Sequence, residues 1–115
     1  MTDPRDKGEG WIGVDLDSTL AHHTGKYRGE AHVGTPIMPM VNRVRKWLDE
    51  GKDVRIFTAR RPHPAIRKFC KEQFGKVLPI TNKKDPEMIV LYDDRAVGVE
   101  PNTGKLLSKG HTESW

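Results

Sequence analysis

The amino-acid sequence predicts an α/β fold: three layers, in which a parallel sheet is covered by helices on both faces. Short apolar, β-favouring runs alternate with stretches whose apolar residues recur at steps of three and four, the pattern of strands joined by crossover helices. Several of these runs stop abruptly at acidic or hydroxyl residues, as buried strands do when their C-terminal ends open onto a site.

Trp11, Ile12, Gly13 and Val14 form the first strand, which stops at Asp15. Ile37, Met40, Val41, Val44 and Leu48 then share one helical face, so a helix is expected over about 37–50, with Pro36 just before it and Gly51 as its C-terminal cap. Residues 54–58 read as a second strand. Ile66, Phe69, Cys70 and Phe74 stripe a second helix that is entered through Pro64 and closed by Gly75. Residues 77–80 form a weaker strand, placed at an edge by Pro79 because proline cannot donate to the ladder. Residues 88–92 are the strongest strand former, and 96–99 are expected to add a last short strand before a turn at 101–104.

At 115 residues, 35% hydrophobic and 31% charged, the chain suits one soluble domain with a core over about 10–107 and loose ends at 1–9 and 108–115. Its net charge of +4 favours encounter with anions such as phosphorylated metabolites or nucleic acid, although so small an excess reads first as a solvated basic surface. The single cysteine, Cys70, excludes an intrachain disulfide and, lying at helical spacing among apolar residues, reads as a small core residue. No apolar stretch approaches the roughly 20 residues that span a bilayer. Residues 1–10 are polar where a signal peptide needs an apolar segment, so a cytoplasmic protein with no membrane partner is expected.

In an open parallel sheet, ligands bind beyond the carboxyl ends of the strands. Asp15 with Asp17, Thr58, Thr81 with Lys83 and Lys84, and Asp93 with Asp94 all fall at such ends. Two clusters of carboxylates with no soft ligand suit Mg²⁺ rather than zinc, and without a cation they would repel each other. Asp15 is placed to attack phosphorus as a covalent nucleophile, and Asp17 to move a proton at the leaving oxygen. A hydroxyl at Thr58 and an ammonium at Lys84 or Lys83 would complete a cradle for the transferring group. Each carboxylate alone is also an ordinary cap or turn residue; their joint placement is the informative feature.

With these residues in view, positions 11–96 resemble a haloacid-dehalogenase-like phosphatase, a Rossmann-like fold, whose four motifs occur here in order. An apolar strand followed by D-x-D-x-T matches 12–20, which implies Asp15 as nucleophile and Asp17 as acid and base. A strand ending in Thr matches Thr58, whose implied role is a hydrogen bond to the phosphoryl group. Ala59 and Arg60 beside it, together with Lys83 and Arg95, are expected to bind substrate. A lysine before the last core strand matches Lys84 or Lys83. Lys84 is preferred, because Lys-Asp before the strand looks like short members of the superfamily. An apolar strand ending in paired acids matches 88–94, which implies Asp93 and Asp94 as magnesium ligands beside Asp15 and the main-chain carbonyl of Asp17. A response-regulator receiver uses similar parts, but its acid pair comes first rather than last.

The resemblance is to the capless members. Residues 20–35, with Gly25, Gly29 and Gly34, leave room for a flap and not for a cap domain. An open site of this kind admits bulky substrates or is closed by a partner subunit, which leaves a homo-oligomer open. His22 and His23 follow the first motif closely enough to touch substrate or bind a transition metal, although they read first as solvated loop histidines. Lys26, Arg28, Arg60, Arg61 and Arg95 suit a second phosphate or a nucleic-acid backbone as well as they suit loop salt bridges. Trp11 and Trp47 read as packing residues, and Trp115 as part of the loose end. The function expected is hydrolysis of a phosphomonoester, with a nucleotide or nucleic-acid end as the favoured substrate. The alternative is a non-catalytic accessory module of the same fold that binds phosphate or nucleic acid.

Overall fold

The computed structural model describes residues 9–23 and 32–107, so the expectations about Lys26, Arg28, Trp115 and the two ends lie outside the described residues. Four apolar runs become one sheet. Its strands are β1 (Trp11–Asp15), β2 (Asp53–Phe57), β3 (Ile80–Thr81) and β4 (Met88–Tyr92), all parallel and ordered β3-β2-β1-β4. Helix α1 (Met38–Asp49) links β1 to β2, and α2 (Pro64–Phe74) links β2 to β3.

Local chemistry sets the helix ends. Proline stands in the first turn of both helices, Pro39 second in α1 and Pro64 first in α2, where its missing N–H would have no intrahelical partner. The Nδ1 of His63 accepts the Ala65 amide at 3.0 Å and caps α2. Gly75 ends α2 at φ 76, a left-handed conformation that a side chain resists, and Gly51 follows α1 at φ 79 in the same way. The inward stripes are those expected: Met40, Val41 and Val44 from α1, and Ile66, Phe69 and Cys70 from α2.

Among the described residues, the expectation of helices on both faces is corrected. Ile12 and Val14 stand in register with Val54 and Ile56 of β2 and with Val90 and Tyr92 of β4, so all six share one face, and both helices pack there in a single core. The physical reason is the direction of travel. The chain steps from β1 to β2 to β3 the same way each time, and right-handed crossovers made in one direction put their helices on one side. The return from β3 to β4 runs through 82–87, too short for a helix. The opposite face is covered instead by Trp11, which is fully buried outside that core. The Arg55 guanidinium lies 4.8 Å from its ring centre, and its Nε1–H donates to Asp85 of the return segment at 2.8 Å. Gly13 leaves room on this face, since a Cβ there would meet Trp11, Met88 and Leu91 at 3.0–3.1 Å.

Two strand boundaries also differ. β3 is only Ile80–Thr81, at the edge, where Pro79 contributes a carbonyl that accepts the Ile56 amide at 2.8 Å. Residues 96–99 form no strand. Val99 makes one antiparallel bridge with Leu106 across the expected turn at 101–104, and both side chains stay more than half exposed. A four-residue run interrupted by Gly98 has too little apolar surface to bury against a sheet. Among the described residues, no helix is long and apolar enough to cross a membrane.

Candidate active site

Strand register brings three of the predicted residues together. Val14 lies opposite Tyr92 and Asp15 opposite Phe57, so Asp15, Asp93 and Thr58 leave three neighbouring strands at the same height. Beyond Asp15 the chain turns tightly: the amides of Leu20 and Ala21 return to the Leu16 carbonyl at 2.9 and 3.0 Å, and Ser18 takes φ 69. That left-handed, non-glycine backbone carries strain of about 1 kcal/mol or more, held in place by the surrounding turn. The turn throws Asp17 across the crevice toward β2.

A cavity of about 320 Å³ opens at these strand ends, lined by Asp15, Asp17, Ser18, His23, Phe57, Thr58, Ala59, Arg60, Asp93 and Arg95. Asp15, Asp93 and Asp94 each present a carboxylate oxygen within 4.8 Å of the other two. Burial, then a hydrogen bond with Asp94, then the charges of Asp93 and Asp94 push the Asp15 carboxyl up to about 8 from 3.8, against the opposing Leu16 amide. Thr19 reaches the same cluster, its hydroxyl 3.2 Å from Asp94 Oδ1 and, at the limit of a hydrogen bond, 3.5 Å from Asp15 Oδ2. The Arg95 amide donates to Asp93 Oδ1 at 2.8 Å and fixes that carboxylate.

The Asp17 side chain stands apart from this trio. Both of its oxygens accept from Arg60, at 2.8 Å each. Thr58 is 4% exposed, and its hydroxyl oxygen accepts the Arg60 amide at 3.1 Å. Lys83 and Lys84 are exposed in the segment that leaves β3, and neither lines the cavity. Thr19, Ser18 and Phe57 join the site with no role expected from the sequence, and His23, expected as a solvated loop histidine, lines the cavity. The threonine of D-x-D-x-T was the available signal for Thr19. Nothing local marks Phe57, which enters the lining only through strand register. A larger cavity of about 380 Å³ lies at the other ends of the strands, between Trp47, Tyr92 and Gly10. Glu50, Lys52 and Asp53 also line it, but among the described residues the one cluster of acidic side chains able to share a cation stands at the first cavity, so chemistry rather than size picks out the site.

No family model matches the chain, and no curated protein matches it. A solved structure of a conserved protein from Bacteroides thetaiotaomicron is similar in fold, with a TM-score of 0.56 and 23% sequence identity, covering 82% of this chain and 83% of that one. At that identity the likeness shows a shared α/β fold and carries no activity.

Proposed function

We propose that this chain is a capless haloacid-dehalogenase-like phosphohydrolase that requires Mg²⁺ and cleaves a phosphomonoester through an aspartyl-phosphate. One observation carries the reading: the acidic trio of Asp15, Asp93 and Asp94 stands at adjoining strand ends, and Asp15 and Asp93 face the cavity that Thr58 and Asp17 also line. Three oxygen donors without sulfur or imidazole suit a hard divalent cation, and the raised Asp15 carboxyl reflects crowding that a cation would relieve. Asp15, Asp93 and Asp94, with the main-chain carbonyl of Asp17, would hold Mg²⁺, which when bound supplies positive charge for the phosphoryl oxygens.

The remaining steps belong to the side chains. A carboxylate oxygen of Asp15 attacks phosphorus, the bond to the leaving oxygen breaks, and that oxygen takes a proton carried by Asp17. Water then attacks the phosphorus of the aspartyl-phosphate and gives a proton to Asp17. Phosphate leaves and Asp15 is restored. Because the Thr58 oxygen already accepts the Arg60 amide, its own proton is available to a phosphoryl oxygen.

Purified protein with Mg²⁺ is expected to hydrolyse an aryl phosphate, and Asp15→Asn to lose at least about a thousandfold in kcat. Turnover that survives chelation of divalent ions or survives Asp15→Asn sinks the mechanism. The net positive charge and Arg95 in the lining support a nucleotide or nucleic-acid end as substrate. A panel of nucleotides, end-phosphorylated oligonucleotides and sugar phosphates tests that refinement by itself. The position of Lys83 and Lys84 outside the cavity favours the second reading, a non-catalytic phosphate- or nucleic-acid-binding module. Salt-sensitive oligonucleotide binding without phosphatase activity would establish it instead.

A further inference from the structure

Arg60, expected to touch substrate, has its guanidinium engaged elsewhere. Its Nε donates to Asp17 Oδ2 and its Nη2 to Asp17 Oδ1, both at 2.8 Å, while its Nη1 donates to the main-chain carbonyl of His32. The side chain is 7% exposed, and that of its partner Asp17 is 26% exposed. The backbone is anchored too, through the Arg60 amide on Thr58 Oγ1 at 3.1 Å. A two-pronged pair of this kind fixes both the position and the plane of a carboxylate, which a single ammonium cannot do.

The third contact extends the grip. The chain on either side of 24–31 pairs with itself, through the Ala21–Pro36 bridge and the His22 amide on the Thr35 carbonyl at 2.8 Å. By holding the His32 carbonyl, Arg60 ties the returning arm of that connection to the end of β2. One guanidinium therefore links the β2 end, the loop after β1 and the arm that leads into α1. Turning toward a phosphate would mean releasing these polar contacts from a nearly buried position, a cost that an arginine free in solvent would not bear.

Resting on the phosphohydrolase reading above, we propose that Arg60 is a positioning residue for proton transfer: it acts on the reaction by holding the Asp17 carboxylate, and not by binding the phosphoryl group. The clamp matters most where the departing oxygen needs a proton. An alkyl phosphate releases an alkoxide that must be protonated as the P–O bond breaks, whereas an aryl phosphate releases a phenolate that leaves unaided.

The test is steady-state kinetics with Mg²⁺ on one alkyl and one aryl phosphate, for the wild type, Arg60→Lys, Asp17→Asn and the double variant. Arg60→Lys keeps the charge but cannot reach both oxygens. Its kcat/KM is expected to fall roughly ten- to hundredfold on the alkyl ester and less than about threefold on the aryl ester. Added to Asp17→Asn it should cause no further loss on either ester, because two residues that act as one unit are not additive. An equal rise in KM for both esters, or an undiminished Arg60→Lys loss in the Asp17→Asn background, overturns the proposal and makes Arg60 a substrate ligand. A thermal melt checks that each variant is folded, and Arg60→Gln serves the same comparison if the lysine variant is not. Failure of the underlying reading shows separately, as a wild type with no Mg²⁺-dependent turnover of either ester.

Discussion

Among the described residues, Asp15 gathers the largest electrostatic cost. Its carboxyl is pushed up to about 8 from 3.8 by burial, by the Asp94 hydrogen bond and by the Asp93 and Asp94 charges. The folded protein therefore holds a proton on Asp15 that the unfolded chain releases near pH 4. Between those values folding takes up a proton, so stability is highest at the acid end and falls as pH rises toward 8. Without divalent ions, the melting temperature is expected to drop by a few degrees from pH 5 to pH 8; Asp15→Asn or saturating Mg²⁺ should flatten that slope. A slope unchanged in Asp15→Asn would place the effect elsewhere. At this scale the carboxylates were legible because two acidic pairs at strand ends are rare and costly. The partner of Asp17 was not, because Arg60 lies 43 positions away and only the loop after β1 turns the two side chains together. Lys83 and Lys84 show the reverse case, a sequence match that the path of the chain does not bring to the cavity.

Among the elements, glycines separate backbone conformation from contact. Gly75 sits at φ 76 with nothing within 4 Å of a built Cβ, so Gly75→Ala tests left-handed backbone alone. It should cost about 1 kcal/mol in a denaturant melt and leave activity intact. Gly34 is the opposite case: a Cβ there would lie 1.9 Å from the His22 carbonyl oxygen, inside the paired arms beside the cavity. Gly34→Ala should cost roughly 2 kcal/mol or more and lower phosphatase activity as well, since the arms must part. Cys70 is fully buried on α2, and burial raises its thiol, with the Leu78 backbone opposing. It should ignore thiol reagents in the native protein and react on unfolding in urea. The stripes of both helices and the glycines that end them were readable, because periodicity and terminal glycines are local signals, whereas the His63 cap was not. The failed strand at 96–99 was not, because local β-preference says nothing about whether a neighbour has an edge to offer.

For the whole molecule, the asymmetry of the sheet has a stability consequence. One face carries both helices and the main core, while the other depends on Trp11, held under Arg55 and hydrogen-bonded to Asp85. Trp11→Ala should therefore cost about 3–5 kcal/mol despite lying outside that core, and a urea titration reads it directly. A loss below 1 kcal/mol would mean that the face is closed by something else. The sequence by itself determined the α/β class, the strand and helix order and the polar strand ends, since each follows from short-range periodicity and from where apolar runs stop. Only the tertiary structure decided that both helices share one face, that Lys83 and Lys84 stand off, and that Arg60 belongs to Asp17. Those outcomes depend on the direction of crossovers and on strand register, which join residues far apart in the chain and leave no trace in any single stretch of it.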